Sequence, residues 1–342
     1  MRVKKINPND YLHGSARARV LRGKILSSED LRRMIGAHDL GQSFRILNSV
    51  NIGVGVKPED YETVLNRELV KIYNIVREIT NGLELFNIFR YGYDGINIKL
   101  ALKTASAGLD PLQFLTELGT VPAEILIDGI NKGSIPELPT EMQQAVKEAK
   151  TELASADIAG RDYGDPQRVD IIIDKATVSS IYRVVHEYDN ALFKKYVRSK
   201  IDIDNIRSLI RIRRMGKNTR LLESALIAGG YIGTEKLIGA FSGGMQEIAA
   251  LVKSTRYGTA LGSAFDGPET DRDRLAKVEK LCDNYMLGFI GESNRVVFGV
   301  EPILGYILEK ENEIKMARMI MASKAAGISV NTGVERLRAY AW

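Results

Sequence analysis

Asp94-Gly95-Ile96-Asn97-Ile98-Lys99, Asp202-Ile203-Asp204-Asn205-Ile206-Arg207 and Lys310-Glu311-Asn312-Glu313-Ile314-Lys315 are three versions of one phrase. Each sets an isoleucine before a basic residue, and Ile98, Ile206 and Ile314 are evenly spaced along the chain. Upstream, Ile72, Ile181 and Ile290 recur at nearly the same period, and Leu65, Asp174 and Asp283 share it. One period maintained across 342 residues reads as a triplicated unit. The spacing predicts three similar helical units, at residues 1–110, 111–220 and 221–342. It also moves the functional expectation from a single chemical pocket toward a repeated scaffold.

Helical periodicity surrounds these phrases. From Tyr61 to Ile79, residues Val64, Leu65, Leu69, Ile72, Ile75, Val76 and Ile79 fall at steps that share one helix face. Val178 to Tyr196 repeats the pattern with Ile181, Tyr182, Val185, Leu192 and Phe193, and Leu275 to Ile290 repeats it with Val278, Leu281, Cys282, Tyr285 and Phe289. After each, a short break is expected before the Ile–basic helix. From Ala16 to Leu47 the set Val20, Leu21, Ile25, Leu31, Ile35, Leu40, Phe44 and Leu47 is expected to face a core. Ser28-Glu29-Asp30-Leu31 and Thr234-Glu235-Lys236-Leu237 read as helix starts, with carboxylates suited to the N-terminal dipole. Thr120 to Leu126 is a third start, with Pro122 in the first turn. Val169–Ile173 has a strand-like composition, but its counterparts in the other units are helical in pattern, so it reads as helix. Breaks are expected at Gly133–Thr140, Gly160–Gln167 and Gly262–Asp273. The expected class is all-α.

Composition narrows the function without choosing it. Hydrophobic residues are 44% and charged residues 27%, as in an ordinary folded protein with a substantial core. The net charge of +5 suits an acidic protein, a phospholipid surface or nucleic acid. The single cysteine, Cys282, allows no intrachain disulfide, which points to a reducing compartment and a buried thiol. The N-terminus lacks the apolar core of a secretion signal, and no apolar run approaches the ~20 residues that span a bilayer. Membrane association is therefore expected to be peripheral.

Catalytic and cofactor motifs are missing. His13, His38 and His186 are far apart, and one cysteine leaves no zinc spacing. Gly216-Lys217-Asn218-Thr219 departs from a phosphate loop at Arg211 and Asn218, and no Gly-x-Ser-x-Gly elbow occurs. No catalytic residue, cofactor or metal is expected. The most distinctive local feature is basic: Arg207, Arg211, Arg213, Arg214, Lys217 and Arg220, with no acidic residue between them. Lys99 and Lys103 share the four-residue spacing of Arg207 and Arg211, and Lys315 continues the set, although Met319 ends it. Lys99, Lys103, Arg207, Arg211 and Lys315 are therefore the candidate partner-facing residues. A helical scaffold binding an acidic partner or nucleic acid through 207–220 is the alternative. The absence of interleaved aromatics there disfavours single-strand stacking.

Taken in order, these stretches resemble the C subunits of the archaeal and bacterial V/A-type rotary ATPases, equivalent to the d subunit of eukaryotic V-ATPases. Ala18-Arg19-Val20-Leu21-Arg22 is similar to the family's opening helix, with Leu21 where the family pattern has its second arginine. The Asn-Ile-Lys and Asn-Ile-Arg helices resemble its repeated helices, and Glu309 through Ile328 resembles its closing segment. The resemblance implies three helical domains about a pseudo-threefold axis, forming a funnel with no catalytic residues. It implies a peripheral position on the cytoplasmic side of the membrane. It implies as partners the membrane proteolipid ring, the central-stalk subunits of D and F type and the membrane stator, and excludes nucleic acid. The implied function is rotational coupling of ATP hydrolysis or synthesis to H⁺ or Na⁺ transport.

Overall fold

The computed structural model describes residues 3–158, 166–216, 218–267 and 271–327. They are helical, with no strand among them beyond one isolated parallel bridge between Lys4 and Tyr188. In chain order the α-helices are α1 (Leu12–Arg22), α2 (Ser28–Gly36), α3 (Leu40–Ser49), α4 (Tyr61–Ile79), α5 (Tyr91–Ser106), α6 (Ala123–Lys132), α7 (Thr140–Ile158) and α8 (Pro166–His186). They continue as α9 (Ala191–Arg214), α10 (Thr219–Ala225), α11 (Thr234–Gly243), α12 (Met245–Ser254), α13 (Gly258–Leu261), α14 (Asp271–Asn294) and α15 (Glu301–Ala325). The evenly spaced isoleucines Ile98, Ile206 and Ile314 are all buried, as are Ile72, Ile181 and Ile290. The recurrence therefore marks core positions. Cys282 is a buried thiol outside any disulfide.

By packing, the chain falls into two compact units: Met1–Ile6 with Glu84–Leu275, and Asn7–Leu83 with Ala276–Trp342. In the first, α8 packs against α5, α7 and α9. Val169 and Ile173 lie on its buried face, so the strand-like stretch is helix. The continuous helix expected over Val178–Tyr196 does not form. It breaks between His186 and Ala191, where the Asn190 side chain accepts from Phe193 N at 3.0 Å and restarts the chain as α9. In the same unit Lys4 N donates to Glu187 O and Asp189 N to Lys4 O, which fastens the chain's first residues beside that break.

In the second unit, α15 packs against α1, α2, α3 and α4. Pro302 to Leu308 are buried without interruption, the mark of a helix surrounded on all sides. The start expected at Ser28 is capped one residue earlier. Ser27 Oγ accepts from Asp30 N at 3.1 Å, and Asp30 Oδ2 accepts from Ser27 N at 3.0 Å, a reciprocal capping box. Val20, expected to face the core, is 68% exposed, because α1 buries Gly14, Ser15 and Ala18 instead.

Candidate interaction surface

The repeated phrase does its work through buried acids. On α5, Asp94 is fully buried; Oδ2 accepts from Thr120 Oγ1 at 2.6 Å and Oδ1 from Val121 N at 3.2 Å. One turn on, Asn97 exchanges both amide bonds with Thr116, at 2.8 and 2.9 Å. One turn back, Arg90 donates to Leu118 O at 3.1 Å and to Gly119 O. Three side chains on one helix face thus clamp the loop that leads into α6.

On α9 the same clamp recurs. Asp202 is fully buried and accepts from Tyr231 N at 2.7 Å, Ile232 N at 3.0 Å and Tyr257 Oη at 2.6 Å. Asn205 exchanges bonds with Ile227 at 2.8 and 2.9 Å, and Arg198 donates to Gly230 O at 3.0 Å. The clamped loop leads into α11. Tyr231 lies under the guanidinium groups of Arg198 and Arg256, 4.1 and 3.9 Å from its ring centroid. Glycine is required at both clamps, because a Cβ on Gly119 would overlap Asp94 Oδ1 and one on Gly230 would overlap Asp202 Oδ1.

In the second unit α15 carries the counterpart. Glu313 Oε1 accepts from Leu26 N at 2.7 Å, at the start of α2. Lys310, at the position of Asp94 and Asp202, is buried between Glu313 and Glu68. Arg22, the last residue of α1, reaches to Glu309 on α15. Burial pushes Asp94, Asp202 and Glu313 above the usual carboxylate range, against the hydrogen bonds and cations that pull each down.

The five sequence-predicted cations lie along these same helices. Lys99 pairs with Asp174 and Lys103 with Asp170, both on α8 and both at 2.6 Å. Lys315, in the other unit, pairs with Asp283 at 2.7 Å. Arg207 is 3.5 Å from Asp204, and Arg211 is exposed. Arg207 and Arg211 line an open groove of about 470 Å³ between α8 and α9, with Asp174, Lys175 and Lys200. A larger groove of about 860 Å³ between α7, α8 and α10 shares Ile171 and Lys175 with it and adds Arg168 and Arg220. Lys175 is held below the usual lysine range by burial. The structure thus places Lys99, Lys103, Arg207 and Arg211 around α8, and Lys315 in the other unit. Arg213 departs from the basic run, since it turns inward to donate to Phe241 O at 3.1 Å at the end of α11. Lys217 lies outside the described residues.

Among the described residues no group of three or more His, Cys, Asp or Glu side chains is placed to hold a metal ion. No helix among them is long and apolar enough to cross a membrane. The arrangement is a scaffold of clamped helix pairs with grooves lined by both cations and acids, Glu141 and Glu148 in the larger and Asp174 and Asp204 in the smaller. Sequence reasoning left Arg90, Asp94, Asn97 and their α9 counterparts without a role. Their signal was the shared spacing of Asp94 with Asn97 and Asp202 with Asn205.

The profile of the ATP synthase (C/AC39) subunit family matches residues 15–335 of the chain. The C subunit of an A-type ATP synthase from Thermococcus gammatolerans is 26% identical, over 95% of this chain and 88% of its own. Its counterpart from Methanocaldococcus jannaschii is 23% identical, over 92% and 82%. The C subunit of a V-type sodium ATPase from Enterococcus hirae is 22% identical, over 82% of each.

Proposed function

The chain belongs to the ATP synthase (C/AC39) subunit family, the C subunits of the V/A-type ATPases, and from that membership we propose that it is a non-catalytic rotor component. It joins the central stalk to the membrane proteolipid ring and so transmits rotation between ATP turnover and H⁺ or Na⁺ movement. The observation that carries the reading is the family match across residues 15–335, nearly the whole chain. Its place is peripheral, on the cytoplasmic side. Its partners are the ring, the D- and F-type stalk subunits and the stator.

The three repeated helices suit such a part. A torque-bearing collar needs its helix pairs fixed, and buried acids bonded to backbone N–H groups hold loops without long flexible side chains. In this reading the units 1–110, 111–220 and 221–342 are related by a pseudo-threefold axis and form a funnel. Contacts from a threefold collar to a ring of different subunit number are non-equivalent and polar, so they weaken with salt.

Lys99, Lys103, Arg207, Arg211 and Lys315 line the stalk socket in this proposal. Arg207 and Arg211 contribute most, because both line the open α8–α9 groove. The test is binding of the purified chain to the isolated stalk coiled coil. R207E/R211E should weaken it about tenfold or more at low salt. Unchanged affinity removes these residues from the socket. Failure of the parent chain to bind either stalk or solubilised ring rejects the rotor role.

A further inference from the structure

We propose that the outward face of α1, with the loop at Val296–Phe298, is a docking surface for an anionic lipid bilayer. The buried face of α1 is made of small residues. Ser15 Oγ donates to Gly299 O at 2.7 Å and accepts from Gly299 N at 2.9 Å. A Cβ on Gly14 would press on the Ile79 carbonyl, so the helix lies close against its neighbours. That packing turns Leu12, Ala16 and Val20, spaced by four, to the opposite side.

Val20 is 68% exposed and Leu12 48%. Arg19 Nη2 donates to Val296 O at 2.8 Å, which holds the loop beside the helix. Val297 and Phe298 follow directly and are 64% and 45% exposed. Val20, Val297 and Phe298 are therefore exposed beside the Arg19–Val296 bond, with Leu12 two turns back along α1, where scattered single apolar side chains are the norm. Arg19 on α1, Lys24 just past its end and Arg295 just before the loop are also exposed.

The chemistry fits a headgroup layer. Apolar tips enter the acyl boundary while adjacent cations meet phosphates. A docked acidic helix would require a concave apolar seat, which side chains exposed by 45% to 68% do not form. The surface adds a lipid contact to the protein contacts proposed above, and its test does not depend on them.

The experiment is flotation of the purified full chain with vesicles of phosphatidylcholine alone, or of phosphatidylcholine with phosphatidylglycerol, at low and high salt. The chain should float only with the anionic vesicles and release as salt rises. V297D/F298D should lower the floating fraction about tenfold, and K24E/R295E about fivefold for each cation lost. L112D, at an exposed leucine in the other unit, should leave it unchanged. Thermal melting followed by circular dichroism confirms that each variant folds. No flotation, equal flotation on both vesicles, or parent-like flotation of K24E/R295E and V297D/F298D overturns the proposal. Retention on immobilised polyglutamate without flotation also overturns it and gives the face to an acidic protein.

Discussion

The clamp on α9 and the clamp on α15 solve one problem with opposite charges. On α9 an aspartate receives two backbone N–H groups and a tyrosine hydroxyl, while Arg198 on the helix reaches out to a loop carbonyl. On α15 a lysine takes the aspartate's position, the glutamate one turn later receives the N–H, and Arg22 at the end of α1 reaches in to an acid on the helix. What recurs is the backbone N–H at Val121, Ile232 and Leu26, each satisfied by a buried carboxylate. The repeat preserves the backbone bond, and the side chain that makes it is free to move along the helix.

Removing the acids should separate the two solutions most strongly. D202A strands the buried Ile232 N and Tyr257 Oη and the half-buried Tyr231 N and leaves Arg198 without its nearby charge, for a loss of about 3–5 kcal/mol. E313A strands Leu26 N, but Lys310 keeps Glu68 at 3.4 Å, so the loss should be about 1–3 kcal/mol. Urea unfolding of both variants checks the order, and a larger loss for E313A would break the comparison.

Next come the glycines. G230A and G119A push a methyl group into Asp202 and Asp94 and should destabilise by about 1–3 kcal/mol each. G239A, in α11 with open space around it, should instead stabilise by about 0.5–1 kcal/mol. Melting temperatures moving in opposite directions are the expected readout.

The pH dependence is subtler. Asp94, Asp202 and Glu313 hold their protons more tightly folded than unfolded. Their contribution to stability is full below the usual carboxylate range, at about pH 4, and is lost as pH rises through the raised values. The stability gap between the parent and D202N should therefore narrow as pH rises from about 4, read from urea midpoints across a pH series. A gap that widens would mean the hydrogen bonds outweigh burial. Smallest of all, K99A should change stability by less than about 1 kcal/mol, since its partner Asp174 is 57% exposed.

The sequence showed the helices and their period because core positions repeat: Ile98, Ile206 and Ile314 are buried for the same reason each time. It showed Cys282 and the Val169–Ile173 helix on the same ground. It did not show the break before α9, since Asn190 ends an apolar pattern that continues on both sides of it. It placed Val20 in the core because periodicity cannot tell a helix that buries valines from one that buries Gly14, Ser15 and Ala18. Spacing singled out Lys99, Lys103, Arg207, Arg211 and Lys315 as candidates, but the acids of α8 lie far from Lys99 and Lys103 in sequence, and only folding brings them together.

The counterpart clamp on α15 has a further consequence, in the order of synthesis. The loops held by α5 and α9 follow those helices in the chain, so each clamp can close as soon as its loop has been made. The loop held by α15 contains Leu26, made near the beginning, whereas Glu313 is made near the end. At about 5–20 residues per second, α1 to α4 wait some tens of seconds for their central helix. During that interval α4, whose buried residues include Leu65, Leu69, Ile72 and Val76, lacks the helix it packs against most extensively. The unit of Met1–Ile6 and Glu84–Leu275 is complete once Leu275 has been made and can fold first, whereas the other depends on whatever protects its early half from aggregation.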